Sequence, residues 1–97
     1  MGTFAVVFLR RAADQVAQGR NWWLEHRPAA PGLFDRELAA AVDRIAAFPG
    51  SGTSILHPAG QVRRTLLPEC RYFVYYRVRP RAQRCEVIAV LHASRLT

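Results

Sequence analysis

Lysine is absent from this chain: all fourteen basic residues are arginine, set against seven acids. Fifteen alanines point to a GC-rich coding sequence, which by itself accounts for arginine in place of lysine. Cysteine is scarce as well. Two residues, Cys70 and Cys85, cannot make a disulfide framework, and both are expected as reduced thiols. No apolar run approaches the roughly 20 residues that span a bilayer. The apolar stretch at residues 4–9 is followed, not preceded, by Arg10-Arg11, which is the wrong order for a secretory signal. Met1-Gly2 lacks the Ser or Thr at position 6 that N-myristoylation needs. These absences point to a cytoplasmic protein without a membrane partner.

Conventional reaction chemistry is missing too. His26, His57 and His92 have no Cys, His or Glu at ligand spacing, so no metal centre is expected. The stretch Gly50-Ser-Gly52-Thr lacks the lysine of a phosphate-binding loop. Ser51, Ser54 and Ser94 have no nucleophile-elbow context. The residues therefore predict no cofactor and no catalytic set.

Ninety-seven residues, about half of them hydrophobic, suffice for one domain spanning residues 1–97 with a real core. The charge is lopsided. Residues 1–60 hold six Arg and five acids, whereas residues 61–97 hold eight Arg and only Glu69 and Glu86. A C-terminal half at +6 implies an anionic partner, either nucleic acid or an acidic protein.

Along the chain, residues 3–9 (TFAVVFL) read as a strand. Residues 12–27 favour a helix ended by Pro28, with Ala12, Val16, Gly19 and Trp23 as its buried stripe. Gly19 costs such a helix about 1 kcal/mol against Ala, unless a neighbour packs closely there. After the connection Pro28-Ala-Ala-Pro31-Gly32, the residues Phe34, Leu38, Ala41, Val42, Ile45 and Phe48 form the cleanest helical stripe of the chain. A loop this short makes the two helices an antiparallel hairpin. Residues 49–60, rich in Gly, Pro and Ser, read as the least structured stretch. Three strand-like runs follow at residues 61–67, 72–79 and 84–92. The predicted fold is α+β, with a helical hairpin on one face of a four-stranded, mostly antiparallel sheet.

With residues 80–83 as a hairpin loop, Arg79 should face Arg84, Arg77 face Glu86, Tyr75 face Ile88, and Phe73 face Val90. Alternation then gives an apolar core face of Tyr72, Val74, Tyr76, Val78, Cys85, Val87, Ala89 and Leu91. The opposite face carries Arg71, Phe73, Tyr75, Arg77, Arg79, Arg84, Glu86, Ile88, Val90 and His92. Arg63 or Arg64, Tyr75, Arg77, His92 and Arg95 are the candidate binding residues of this cationic, aromatic surface.

The order strand, helical hairpin, three-stranded meander resembles the RelE/ParE toxin superfamily. The residues that carry the resemblance are Phe48-Pro49-Gly50, Val62-Arg63-Arg64, the run from Tyr72 to Val78, and the ending from Val90 to Arg95. RelE-like members cleave messenger RNA in the ribosomal A site, whereas ParE-like members poison DNA gyrase. RelE-like ribonucleases carry an Arg after the tyrosine equivalent to Tyr72, where this chain has Phe73, and their C-terminal tail can supply a catalytic aromatic, whereas this chain stops two residues after Arg95. The Tyr75-Tyr76-Arg77-Val78 stretch and the His-x-x-Arg ending are closer to ParE and its plasmid-stabilisation relatives. The resemblance implies a type II toxin that inhibits DNA gyrase and is neutralised by a cognate antitoxin in a hetero-oligomer. Its alternative is a ribosome-dependent endoribonuclease acting on messenger RNA.

Overall fold

The structure is a computed structural model and describes residues 3–58 and 60–95. Strand β1 (Ala5–Phe8) runs into helix α1 (Arg10–His26), which pairs with helix α2 (Leu33–Ala47). Four further strands follow: β2 (Thr53–His57), β3 (Gly60–Leu67), β4 (Tyr72–Arg79) and β5 (Arg84–His92). They form one sheet in the order β1-β5-β4-β3-β2, with β1 parallel to β5 and every other pair antiparallel. The fold is α+β as expected, but the sheet has five strands rather than four. The extra strand, β2, lies in the Gly- and Pro-rich stretch read as unstructured. Thr53 and Ile55 supply the β-branched positions, and Gly60, at φ +100°, supplies the left-handed residue of the turn to β3.

Helix α1 buries Ala12, Val16, Gly19 and Trp23, the stripe its sequence predicts. Helix α2 buries Phe34, Leu38, Ala41 and Ile45, with Val42 half-covered. Phe48 departs from expectation. It falls just past the helix end, in extended backbone, and is 69% exposed. The Trp23 indole donates to the Ala30 carbonyl at 2.7 Å and so ties the inter-helix loop to α1. At Gly19 helix α1 approaches the aromatic core closely. A methyl group placed there would meet the Phe34 ring at 3.0 Å and the Tyr72 ring at 3.1 Å, two rings that pack edge-to-face.

Two polar contacts fix the loops. The Tyr76 hydroxyl donates to the Pro49 carbonyl at 2.8 Å and accepts the Gly52 amide at 3.0 Å. The Glu37 carboxylate accepts the Glu69 and Cys70 amides and so caps the β3–β4 turn from helix α2. Cys70 and Cys85 are buried and unpaired, as expected. Burial, reinforced by the Glu37 carboxylate, pushes the Cys70 thiol up to about 12.

The β4–β5 hairpin begins in the expected register, with Arg79 opposite Arg84 and Arg77 opposite Glu86. Beyond Tyr76–Val87 it shifts. Tyr75 pairs with Ala89 rather than Ile88, and Phe73 with Leu91 rather than Val90, so Ile88 is the extra residue of a β-bulge. The core face therefore reads Cys85, Val87, Val90, while Ala89 and Leu91, expected inside, move to the opposite face. Strand β1 pairs with β5 only as far as Val87, so the Val90 amide finds its partner in the Gln15 side chain of α1, at 2.7 Å.

At the other end of the hairpin the carboxylate of Glu86, 11% exposed, accepts from Arg77 at 2.8 Å, Arg79 at 3.3 Å and Arg84 at 3.0 Å. The Arg77 contact, helped by Arg79 and Arg84 against the opposing effect of burial, lowers its pKa from 4.5 to about 2.

Two outcomes follow from this packing. Gly19→Ala gains about 1 kcal/mol of helix propensity, but both rings it would strike are buried, and overpacking costs about 1–3 kcal/mol. We expect a net loss of stability in denaturant titration; a gain would mean the rings yield freely. A carboxylate whose pKa falls on folding stabilises fully above its unfolded value and loses that contribution as pH drops toward its folded one. Acid titration of stability should therefore show a loss between pH 4.5 and about 2 that Glu86→Gln lacks, and identical acid limbs would exclude it.

Candidate functional site

The sheet face turned away from the helices is not flat. Arg11 at the start of α1, Ile55 and His57 of β2, Tyr75 of β4, and Ile88, Ala89 and Leu91 of β5 line a trough of about 420 Å³. The bulge builds its floor, because it turns Ala89 and Leu91 outward beside Tyr75. Exposed apolar surface bounded by cations has the character of a protein-docking groove.

Three of the candidate residues come together on this face. Arg64 stands opposite Tyr75, and its guanidinium lies 4.2 Å from the centre of the Phe73 ring. That cation–π contact holds the arginine against the sheet while leaving it half-buried. Tyr75 is only 9% exposed and packs beside Phe73. Arg77 follows on the same face, its Nε committed to Glu86.

The other three do not join them. Arg63 stands opposite the core residue Tyr76, on the helix side, and donates to the Gly52 carbonyl at 2.8 Å. Arg64 is therefore the one that shares the outer face with Tyr75, and Arg63 tethers the loop before β2. His92 is also displaced. It pairs with Tyr72 after the bulge, meets that ring edge-on at 5.1 Å, and lies 6.5 Å from the Trp22 ring. Its Nδ1 accepts the Ser94 amide and contacts the Ser94 hydroxyl. With Gln15, Gln18, Gly19 and Trp22 it lines a separate cleft of about 130 Å³ beside α1. A strict two-residue alternation put His92 with Arg77; one inserted residue moved it to the other face. Arg95 ends the 3-10 turn after β5, and its side chain lies outside the described residues.

Arg11, Ile55 and His57 were not among the expected site residues. The β-branched alternation of residues 53–57 was the available signal, obscured by the glycines and prolines around it. Among the described residues no cluster of three His, Cys, Asp or Glu side chains could hold a metal ion, and no helix is long and apolar enough to cross a membrane.

Comparison with known proteins agrees with this architecture. The family model for the ParE toxin of the parDE type II toxin–antitoxin system matches residues 6–97. No curated protein matches the sequence at a comparable level of significance. A solved structure from the chromosomal ParDE toxin–antitoxin system of P. aeruginosa superposes with a TM-score of 0.70, covering 93% of this chain and 96% of the other at 12% identity. That likeness is one of fold. With the family match running from the first strand to the last residue, the chain belongs to the ParE toxin family of type II toxin–antitoxin systems.

Proposed function

We propose that this protein is a cytoplasmic toxin that inhibits DNA gyrase and is silenced by a cognate antitoxin bound over the trough of its sheet. The trough joins an apolar floor to a cationic rim, which suits an acidic, amphipathic segment that orders on binding. Covering it would cover Tyr75 and Arg11 and reach Arg64 on the strand beside Tyr75, so that the antitoxin and the target compete for one surface.

The observation that carries gyrase over messenger RNA is the separation of the groups a nuclease would need. Cleavage of RNA requires a base for the 2′-hydroxyl, an acid for the leaving oxygen and a cation on the phosphate, all within reach of one another. Arg77 lies beside Glu86 on one face of the sheet, whereas His92 sits against Tyr72 on the helix side, so the two do not converge on one phosphate. Phe73 occupies the position where a RelE-like nuclease carries arginine, and its ring supports Arg64 instead. Removing one transition-state donor costs about 2.7–4 kcal/mol, and here several are displaced together. The remaining chemistry is that of binding.

Purified protein should inhibit supercoiling by gyrase and should leave ribosome-bound messenger RNA intact. Arg64→Ala, which removes one charged contact worth about 1.5–3 kcal/mol, should weaken the inhibition about tenfold or more without unfolding the chain. Arg95→Ala should weaken it in the same way. Discrete A-site cleavage products, abolished by His92→Ala or His57→Ala, would overturn this reading and assign the ribonuclease.

A further inference from the structure

The arginines around Glu86 exceed what one carboxylate can neutralise. Arg77, Arg79 and Arg84 converge on it, and Arg81 sits exposed at the tip of the same hairpin, so four cations meet one anion. The side chains of Arg79 and Arg84 remain 48% and 43% exposed while bound to it. Arg77 and Arg79 each reach Glu86 through Nε. An arginine pre-fixed by a neighbour gives up less side-chain freedom when it takes a second partner. Glu86 thus works as the hub of a preformed cationic cradle.

We infer that this Glu86-centred cradle of Arg77, Arg79, Arg81 and Arg84 grips the phosphate backbone of duplex DNA. Guanidinium forks fit phosphate oxygens, and a cradle carrying three excess charges suits a polyanion with regularly spaced charge. Two observations favour a duplex over a single strand. Stacking unpaired bases needs exposed aromatic faces, yet Tyr75 is 9% exposed and the Phe73 ring is covered by Arg64. The cradle also lies at the exposed β4–β5 turn, whose residues do not line the trough. The inference deepens the gyrase reading, because gyrase acts on duplex DNA, and it rests on that reading for its setting; the binding itself is measured without gyrase.

The test is fluorescence anisotropy of the purified full chain with a labelled 20-bp duplex of arbitrary sequence, across a salt series. Neutralising about three phosphates gives a log–log salt slope of about −2.7. Arg81→Ala, which leaves the Glu86 contacts in place, should flatten that slope by about 0.9 and weaken binding severalfold, and Arg81→Lys should restore most of it. Arg36→Ala on helix α2 is the control for net charge and should change the slope little. Equal effects of Arg36→Ala and Arg81→Ala would overturn the inference, since the charge would then act without a site. Tighter binding to single-stranded DNA of equal charge, or to polyglutamate, would overturn it too, assigning a single strand or an acidic protein instead. If the duplex binds as described but gyrase is not inhibited, the gyrase reading fails and the DNA site stands. If gyrase is inhibited and Arg81→Ala leaves the salt slope unchanged, the reverse holds.

Discussion

The amide of Val90 has no strand to bond with, because β1 ends its pairing at Val87 and only helix α1 lies beyond. Gln15 reaches across from α1 to accept it. A buried amide left unpaired costs about 1–3 kcal/mol, so this one contact licenses the bulge at Ile88. The bulge in turn decides which residues of β5 face the helices. It places Val90 in the core, aims Ala89 and Leu91 into the trough, and sets His92 against Tyr72. Helix, strand and binding surface are therefore coupled through a single side-chain amide.

Much of this was legible in the residues. The spacings of Ala12, Val16, Gly19 and Trp23, and of Phe34, Leu38, Ala41 and Ile45, gave the buried faces of both helices, because period-3.6 patterns report burial directly. At Gly19 the exception to the propensity cost applies, because the Phe34 and Tyr72 rings pack closely there. The hairpin register was right where charge pairing constrains it, at Arg77–Glu86, and wrong beyond Tyr76. A bulge leaves no mark in a run of small and β-branched residues such as Val87-Ile88-Ala89-Val90. The signal for it sits 75 residues away, at Gln15, on a helix face with no sequence relation to the strand. Strand β2 escaped notice because Gly52, Pro58 and Gly60 suggest a loop, whereas here they are the corners of an edge strand.

The candidate site divides along the same line. Arg64, Tyr75 and Arg77 share a face because they sit on regular stretches of β3 and β4. Arg63 and His92 fall outside this face for different reasons. A residue next to Arg64 must point the other way, and the sequence alone did not fix which of the two that was. His92 required knowledge of the bulge. The electrostatics survive these corrections, because the C-terminal excess of arginine does not depend on register. Strands β4 and β5 and their turn bring four of the eight arginines, Arg77, Arg79, Arg81 and Arg84, to one end of the sheet, around Glu86.

Tyr76 closes the account of the edge. Its hydroxyl lies in the core side of the sheet, yet it holds both the Pro49 carbonyl and the Gly52 amide, and Gly52 admits no side chain there because a methyl would meet that oxygen at 2.5 Å. Beyond its pairing with β3, strand β2 is mostly exposed, with Leu56 fully so. The edge of the sheet is thus a separable cooperative unit, latched at Gly52 by the Tyr76 phenol and the Arg63 guanidinium. When the latch opens, residues 49–57 can detach with the rest of the sheet intact, and the outer backbone of β3 is uncovered as a pairing edge. In hydrogen exchange such a unit reports as a subglobal opening well below the free energy of complete unfolding.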